Sequence, residues 1–270
     1  QQLSAEIDRI AKNTQWNGKN LLDGTGFNNG IANFQVGANA DQFVSLDLGE
    51  IKTANWSKLE TQTTPYSIGK EFQVNTFTDN SQDHSAITPL NDGGFLVTWQ
   101  SNGQDGDSTG IFGQRFASDG RPKADEFRIN TYAPSSQAHP SVTSLADGGF
   151  IVTWQSYGQD GGNTYGIYGQ RYGSDGIAKG SEFSISESSN YSQEYPSITS
   201  TNDGGFVVTW RSTQGSYYGI YAQRFSSDGT PKDTNFVVAD PAAAQVNPSV
   251  ISLSDGDFLV TWENHFGSHI

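Results

Sequence analysis

The sequence predicts a mainly β fold. A short N-terminal helix and a β-hairpin precede a propeller-like array of four-stranded repeats of about 55 residues, the last one incomplete. Three observations carry this. One eight-residue word occurs four times. Strand-like segments recur in fixed order between its copies. The first residues follow a helical periodicity seen nowhere else in the chain.

The word is Asp92-Gly93-Gly94-Phe95-Leu96-Val97-Thr98-Trp99, with later copies at 147–154, 203–210 and 255–262, the last reading Asp-Gly-Asp. Its tryptophans lie 154−99 = 55, 210−154 = 56 and 262−210 = 52 residues apart. A fixed period of this size marks one supersecondary unit used repeatedly. Asp-Gly favours positive φ and reverses the chain. The apolar residues after it alternate between two faces, as in a half-buried strand. The expected repeat core is Phe95, Trp99, Phe150, Trp154, Phe206, Trp210, Phe258 and Trp262.

Composition narrows the function classes. The chain has 270 residues and a net charge of −14, which disfavours nucleic acid and anionic membrane as partners. It has no cysteine, so neither disulfides nor thiol chemistry enter. No apolar run approaches a membrane span, so no membrane insertion is expected. The chain opens at Gln1 and reads as a piece of a longer product.

At the N-terminus, Leu3, Ile7 and Ile10 fall on one helical stripe. Asn17-Gly18 and Asp23-Gly24 are turns, with Leu21 and Leu22 between them. These five apolar residues are the expected packing positions. Strands are expected at 33–37 and 43–48, joined by a turn at 38–41.

Three ordered segments here carry a family resemblance. They are Glu6-Ile7-Asp8-Arg9-Ile10-Ala11, Trp16-Asn17-Gly18-Lys19-Asn20-Leu21-Leu22-Asp23-Gly24 and Phe34-Gln35-Val36-Gly37-Ala38-Asn39-Ala40. Together they resemble the second half of the N-terminal conserved region of bacterial flagellin, over about residues 1–55. The resemblance implies a filament subunit, a homopolymer of flagellin chains, motility and an extracellular place on the flagellum. It places the repeats where flagellins carry their variable, surface-displayed region. Residues 1–56 are expected to form the flagellin-like piece and 57–67 a polar linker. The repeats then run over 68–124, 125–180, 181–233 and a partial 234–270.

Each repeat is expected to hold four strands. The first carries Phe72/Val74, Phe127/Ile129, Phe183/Ile185 or Phe236/Val238. The second carries Ile87, Val142, Ile198 or Val250, entered in three copies by Pro140, Pro196 and Pro248. The third is the Asp-Gly word. The fourth is Gly110–Phe116, Gly166–Tyr172 or Gly219–Phe225, with a small residue at Gly113, Gly169 or Ala222 that lets a bulky neighbour approach. Four strands in about 55 residues suit a propeller blade; small tandem sandwiches are the rival. The repeats also resemble those of very large secreted bacterial surface proteins.

No motif for catalysis is evident, and the acids recur mainly in turns, so the chain is expected not to be an enzyme. Two carboxylates would suffice for glycan cleavage, which stays as the lesser alternative. No cofactor is expected, because hairpin turns alone explain the Gly-Gln-Asp-Gly loops; Asp105, Asp107 and Asp160 within them are the weaker candidates, as calcium ligands. The repeated Gln-Arg pairs read as structural. His84 and His139 occupy equivalent repeat positions and share a structural place. The main functional expectation is a filament subunit displaying a β-repeat domain. The alternative is a glycan- or surface-binding adhesin module, with Tyr165, Tyr168, Tyr217 and Tyr218 offered to sugars.

Overall fold

The computed structural model describes residues 71–187, 190–214, 217–240 and 244–265, together with four short strands nearer the N-terminus. These are β1 (Gln15–Trp16), β2 (Lys19–Asn20), β3 (Ile31–Gln35) and β4 (Phe43–Asp47). The chain divides into two compact units, Gln1–Phe72 and Gln73–Ile270.

In the first unit β1 pairs with β2 and β3 with β4, both antiparallel; Phe34 lies opposite Val44. A hairpin is thus found where one was expected, its first strand beginning two residues earlier. The expected helix with Leu3, Ile7 and Ile10, the pair Leu21 and Leu22, and the linker 57–67 lie outside the described residues.

The second unit is built from antiparallel sheets. One contains β5 (Gln82–Pro89), β6 (Phe95–Asn102), β7 (Thr109–Phe116) and β8 (Phe127–Arg128), in that order. The next has β9 (Gln137–Ser144), β10 (Phe150–Tyr157), β11 (Tyr165–Tyr172) and β12 (Phe183–Ser184). The third has β13 (Gln193–Ser200), β14 (Phe206–Gln214), β15 (Tyr217–Phe225) and β16 (Phe236–Ala239). The last has β17 (Ala244–Ser252) and β18 (Phe258–His265). Each of the three four-stranded sheets takes its fourth strand from the segment that opens the next sequence repeat. Sheets and sequence repeats are therefore out of phase by one strand.

The turns are as the sequence requires. Gly93, Gly148, Gly204 and Gly256 have φ between 79° and 96°. The preceding carboxylate closes each turn: Asp92 accepts from the Gly94 N–H at 2.9 Å, and Asp147 from Gly149 at 2.9 Å. The second glycine of the word has a different reason. A Cβ on Gly94, Gly149 or Gly205 would collide with the backbone carbonyl of Phe116, Tyr172 or Phe225 on the neighbouring third strand. The small residue in the third strand is explained by the outer strand. A Cβ on Gly113 would lie 3.0 Å from Ile129 and 3.4 Å from Phe127. The bulky neighbour is the Phe/Ile pair of the fourth strand.

Sheets pack face to face through two apolar sides. Leu96, Ile111 and Ile129 of the first sheet meet Val142, Phe150, Val152, Trp154, Tyr168 and Tyr172 of the second. Leu145, Ile151, Ile167 and Ile185 of the second meet Ile198, Phe206, Val208, Trp210, Tyr221 and Phe225 of the third. The tryptophan side of each sheet thus meets the aliphatic side of the one before. Burying such a side chain is worth about 1.5–3 kcal/mol. Hydroxyls stitch the first strands together. The Ser144 N–H donates to Thr88 Oγ1 at 3.2 Å, Ile198 N–H to Ser141 Oγ at 3.2 Å, and Val250 N–H to Ser197 Oγ at 3.2 Å. This is a propeller-like tandem array of β-sheets.

Three of the expected core positions differ. Phe95 is only partly buried, against Val97, Trp99, Phe112 and Phe116. Trp262 is 39% exposed, because β18 has no third strand beside it among the described residues. Phe258 is only partly buried, against Val207 and Ala222.

Candidate functional site

Each inner strand contains the same irregularity. In β5 the register skips between Asp83 and Ala86, so His84 and Ser85 together face the single residue Trp99. The corresponding pairs are His139-Pro140 opposite Trp154, Tyr195-Pro196 opposite Trp210, and Asn247-Pro248 opposite Trp262. A bulge of this kind re-aims a side chain, and bulges concentrate near functional sites. The proline expected to enter the strand instead sits inside it, at the bulge, where its missing N–H breaks no ladder bond.

The first residue of each pair has a left-handed backbone: φ is 51° at His84, 54° at His139, 55° at Tyr195 and 52° at Asn247. None is glycine. Such conformations cost on the order of 1–3 kcal/mol each and persist only where the surroundings impose them. Here the surroundings are a neighbour's side chain. The His139 N–H donates to Gln100 Oε1 at 2.9 Å, and the Tyr195 N–H to Gln155 Oε1 at 3.0 Å. Gln100 and Gln155 directly follow the repeat tryptophans, so the repeated word builds the bulge of the next sheet.

The four bulges open onto one pocket of about 260 Å³, lined by His84, Ser85, His139, Tyr195, Asn247 and the three prolines. Its rings form a continuous row. The centroids of His84 and His139 are 4.1 Å apart, and those of His139 and Tyr195 4.3 Å. The Arg211 guanidinium lies 4.3 Å from the Tyr195 ring centre and 4.4 Å from that of Tyr218. Glu194 Oε2 holds Arg211 through Nε at 3.1 Å and Nη2 at 2.9 Å. Asp83 Oδ1 sits 3.0 Å from His84 Nδ1, and Glu263 Oε1 accepts from Asn247 Nδ2 at 3.0 Å. Burial, then the neighbouring His84, pulls the His139 imidazole down to about 4, so this ring is neutral near pH 7. The pocket itself can therefore offer ring faces and neutral hydrogen-bonding groups, with Arg211 and the carboxylates held behind its lining residues.

The other sequence candidates lie elsewhere. The repeated glutamines are structural: Gln114, Gln170 and Gln223 each donate to a backbone carbonyl of the turn ahead, at Ala124, Gly180 and Asp233. Arg115 donates to Ser174 O of the next sheet at 2.6 Å. Asp105 accepts from the Asp107 N–H at 3.4 Å and Asp160 from the Gly162 N–H at 3.1 Å, so both close their own loops. Asp107 accepts from the Ser135 N–H at 3.1 Å. No group of three or more metal-ligating side chains occurs among the described residues. Tyr165 packs against Tyr157, with ring centres 5.1 Å apart, and the Tyr168 ring is buried in the first sheet-to-sheet interface. The Tyr217 side chain lies outside the described residues, whereas the Tyr218 ring packs against the Arg211 guanidinium. Sequence reasoning paired His84 with His139 but missed Tyr195 and Asn247. The available signal was position: three of the four residues directly precede Pro140, Pro196 or Pro248.

No family model matches the chain, and no curated protein matches its sequence. Solved structures do. An endo-arabinase from Bacteroides thetaiotaomicron VPI-5482 is 15% identical, with 72% of this chain aligned to 75% of that one and a TM-score of 0.48. An alpha-L-arabinofuranosidase from Lactobacillus brevis is 14% identical over 66% of this chain and 64% of its own, with a TM-score of 0.43. A fucose lectin from Kordia zhangzhouensis, in complex with methyl-fucoside, is 12% identical over 58% and 99%, with a TM-score of 0.39. Likeness at this level concerns the fold alone. The expectation that the chain is not an enzyme is corrected, because glycoside hydrolases stand among these similar structures. The acids recur mainly in turns, but two do not: Asp83 and Glu194 lie on inner strands, each directly before a pocket residue.

Proposed function

We propose that residues 73–265 form a glycan-binding module whose sugar site is the pocket between the inner-strand bulges. The carrying observation is that four equivalent bulges each deliver one side chain to the same place. A sugar ring needs a flat surface for its C–H faces and directional partners for its hydroxyls. Tyr195 and the two imidazoles supply the first, and Asn247 and Ser85 the second. The volume lies just under the roughly 300 Å³ at which drug-sized sites begin, which fits one ring rather than a long chain. The net charge of −14 favours neutral over polyanionic glycans.

A glycan array probed with the whole chain tests this. Binding is expected to be restricted to a few terminal sugars and to fall at least tenfold in Tyr195→Ala and His139→Ala, with the circular-dichroism spectrum unchanged. Uniform silence from a folded chain overturns the proposal. A second reading, glycan cleavage, is favoured by the Asp83 and Glu194 carboxylates on the pocket strands. It predicts that bound glycans are shortened and that Glu194→Gln stops this.

We also propose that residues 1–56 carry the module on a flagellin-like filament, outside the cell. The three N-terminal motifs and the paired strands β3 and β4 support it. Antibodies to residues 73–265 are expected to decorate flagellar filaments along their length. Labelling restricted to other structures counts against it.

A further inference from the structure

The residue after the repeat tryptophan varies although the tryptophan does not: it is Gln100, Gln155, Arg211 or Glu263. The two glutamines reach forward. Each accepts the main-chain N–H of the next sheet's bulge, at His139 or Tyr195. By the same pattern position 211 serves the Asn247 bulge, but a guanidinium has no acceptor to offer. Arg211 turns to its own sheet instead. It donates twice to Glu194 Oε2, at 3.1 and 2.9 Å, and lies over the rings of Tyr195 and Tyr218 at 4.3 and 4.4 Å. Arg211 and Glu194 side chains are each only 16% exposed, so water competes little for this pairing.

We propose that Arg211 is the positioning residue of the pocket: it clamps the Tyr195 ring and leaves Asn247 as the wall that adjusts to the bound sugar. This rests on the reading of the pocket as a sugar site.

The side chains on the bulges fit that division. Both residues have left-handed backbones, with φ of 55° at Tyr195 and 52° at Asn247. Asparagine is enriched in this region and a bulky tyrosine is not. Tyr195 carries two restraints, Gln155 on its N–H and Arg211 on its ring. Asn247 has no glutamine behind it, and its side chain is tied within its own sheet, through Nδ2 to Glu263 Oε1 at 3.0 Å. The conformation that needs least support receives least from the neighbouring sheet. A fixed ring on one side and an adjustable amide on the other let one pocket take sugars that differ at a single hydroxyl.

The test exchanges position 211 in the whole chain. Arg211→Gln restores the acceptor found at Gln100 and Gln155. Its Asn247 amide is expected to exchange at least tenfold more slowly, while the Tyr195 ring flips at least tenfold faster by NMR. Arg211→Lys keeps the charge but has neither the flat fork nor an acceptor. It is expected to free the ring and leave Asn247 exchange unchanged, and it carries the ring measurement if Arg211→Gln does not fold. A Tyr195 ring as slow in the folded variants as in the native chain overturns the proposal, as does an Asn247 amide that Arg211→Gln does not slow. These readouts need no glycan, so an array silent for the native chain removes the sugar reading and not the clamp. Glycans that bind the native chain are expected to bind Arg211→Gln at least tenfold more weakly and to differ less from one another in affinity. Undiminished binding and selectivity in that variant, with the ring freed, would overturn the assignment of Arg211 as a positioning residue.

Discussion

His139 shows how much one position can carry. Its backbone is held in the left-handed region by Gln100, and its ring lies between that of His84, met edge to face, and that of Tyr195, met at a tilt. Burial and then His84 lower its pKa to about 4, with Arg211 adding in the same direction and Asp83 opposing. The unfolded chain protonates near 6.5, so between about 6.5 and 4 it binds a proton the folded state refuses. The contribution is complete above pH 6.5 and is lost as pH falls through about 4. Unfolding midpoints in denaturant are expected to drop over that window, and the drop should shrink in His139→Phe. An unchanged slope in that variant would place the acid sensitivity in other groups. The equivalence of His84 and His139 was legible in the sequence because their types match. Tyr195 and Asn247 were not, because the repeat keeps the bulge and lets the side chain on it vary. A site built by a shared backbone shape and different chemistry leaves no residue pattern to read, only the proline that follows it.

Strands were more legible than their partners. Alternation after each Asp-Gly turn marks β6, β10, β14 and β18, and the repeated Gly-Ile-aromatic segment marks β7, β11 and β15. The outer strand was legible as a segment but was assigned to the wrong neighbours in sequence. A tandem repeat has no preferred starting point when it is read as letters. Hydrogen bonding supplies one: Phe127 pairs with Gly113 and Phe183 with Gly169, so each outer strand belongs to the sheet before it. The glycine there is the physical trace of that pairing, since Ile129 and Ile185 occupy the space of its absent Cβ. Likewise the prolines were legible as strand residues, but their position inside a bulge depended on a neighbouring sheet's glutamine. Local chemistry fixed each element; contacts made about 40 residues away, such as that from Gln100 to His139, shaped the site.

Residues 73–265 are stabilised mainly between consecutive sheets, and this makes the array close to one-dimensional. Each inner sheet is covered on both sides, whereas the last is covered on one among the described residues. The buried residues Ile151 and Val152 of β10, and Val207 and Val208 of β14, have no exposure, while Leu259 of β18 is half exposed. Local opening is least costly where burial is least, so protection should grade along the array rather than stay uniform. Amide exchange is expected to be slowest in β10 and β14 and fastest in β18, with β18 the first strand to lose protection as denaturant is added. Trp154→Ala removes a fully buried side chain from the interface of the first two sheets and should cost about 3–5 kcal/mol. Its loss of protection should spread into β6 and β14. Trp262→Ala should weaken only β17 and β18. Equal protection in all four word-bearing strands, or a Trp262→Ala effect reaching β10, would mean that the sheets unfold as one cooperative body and not through their nearest neighbours.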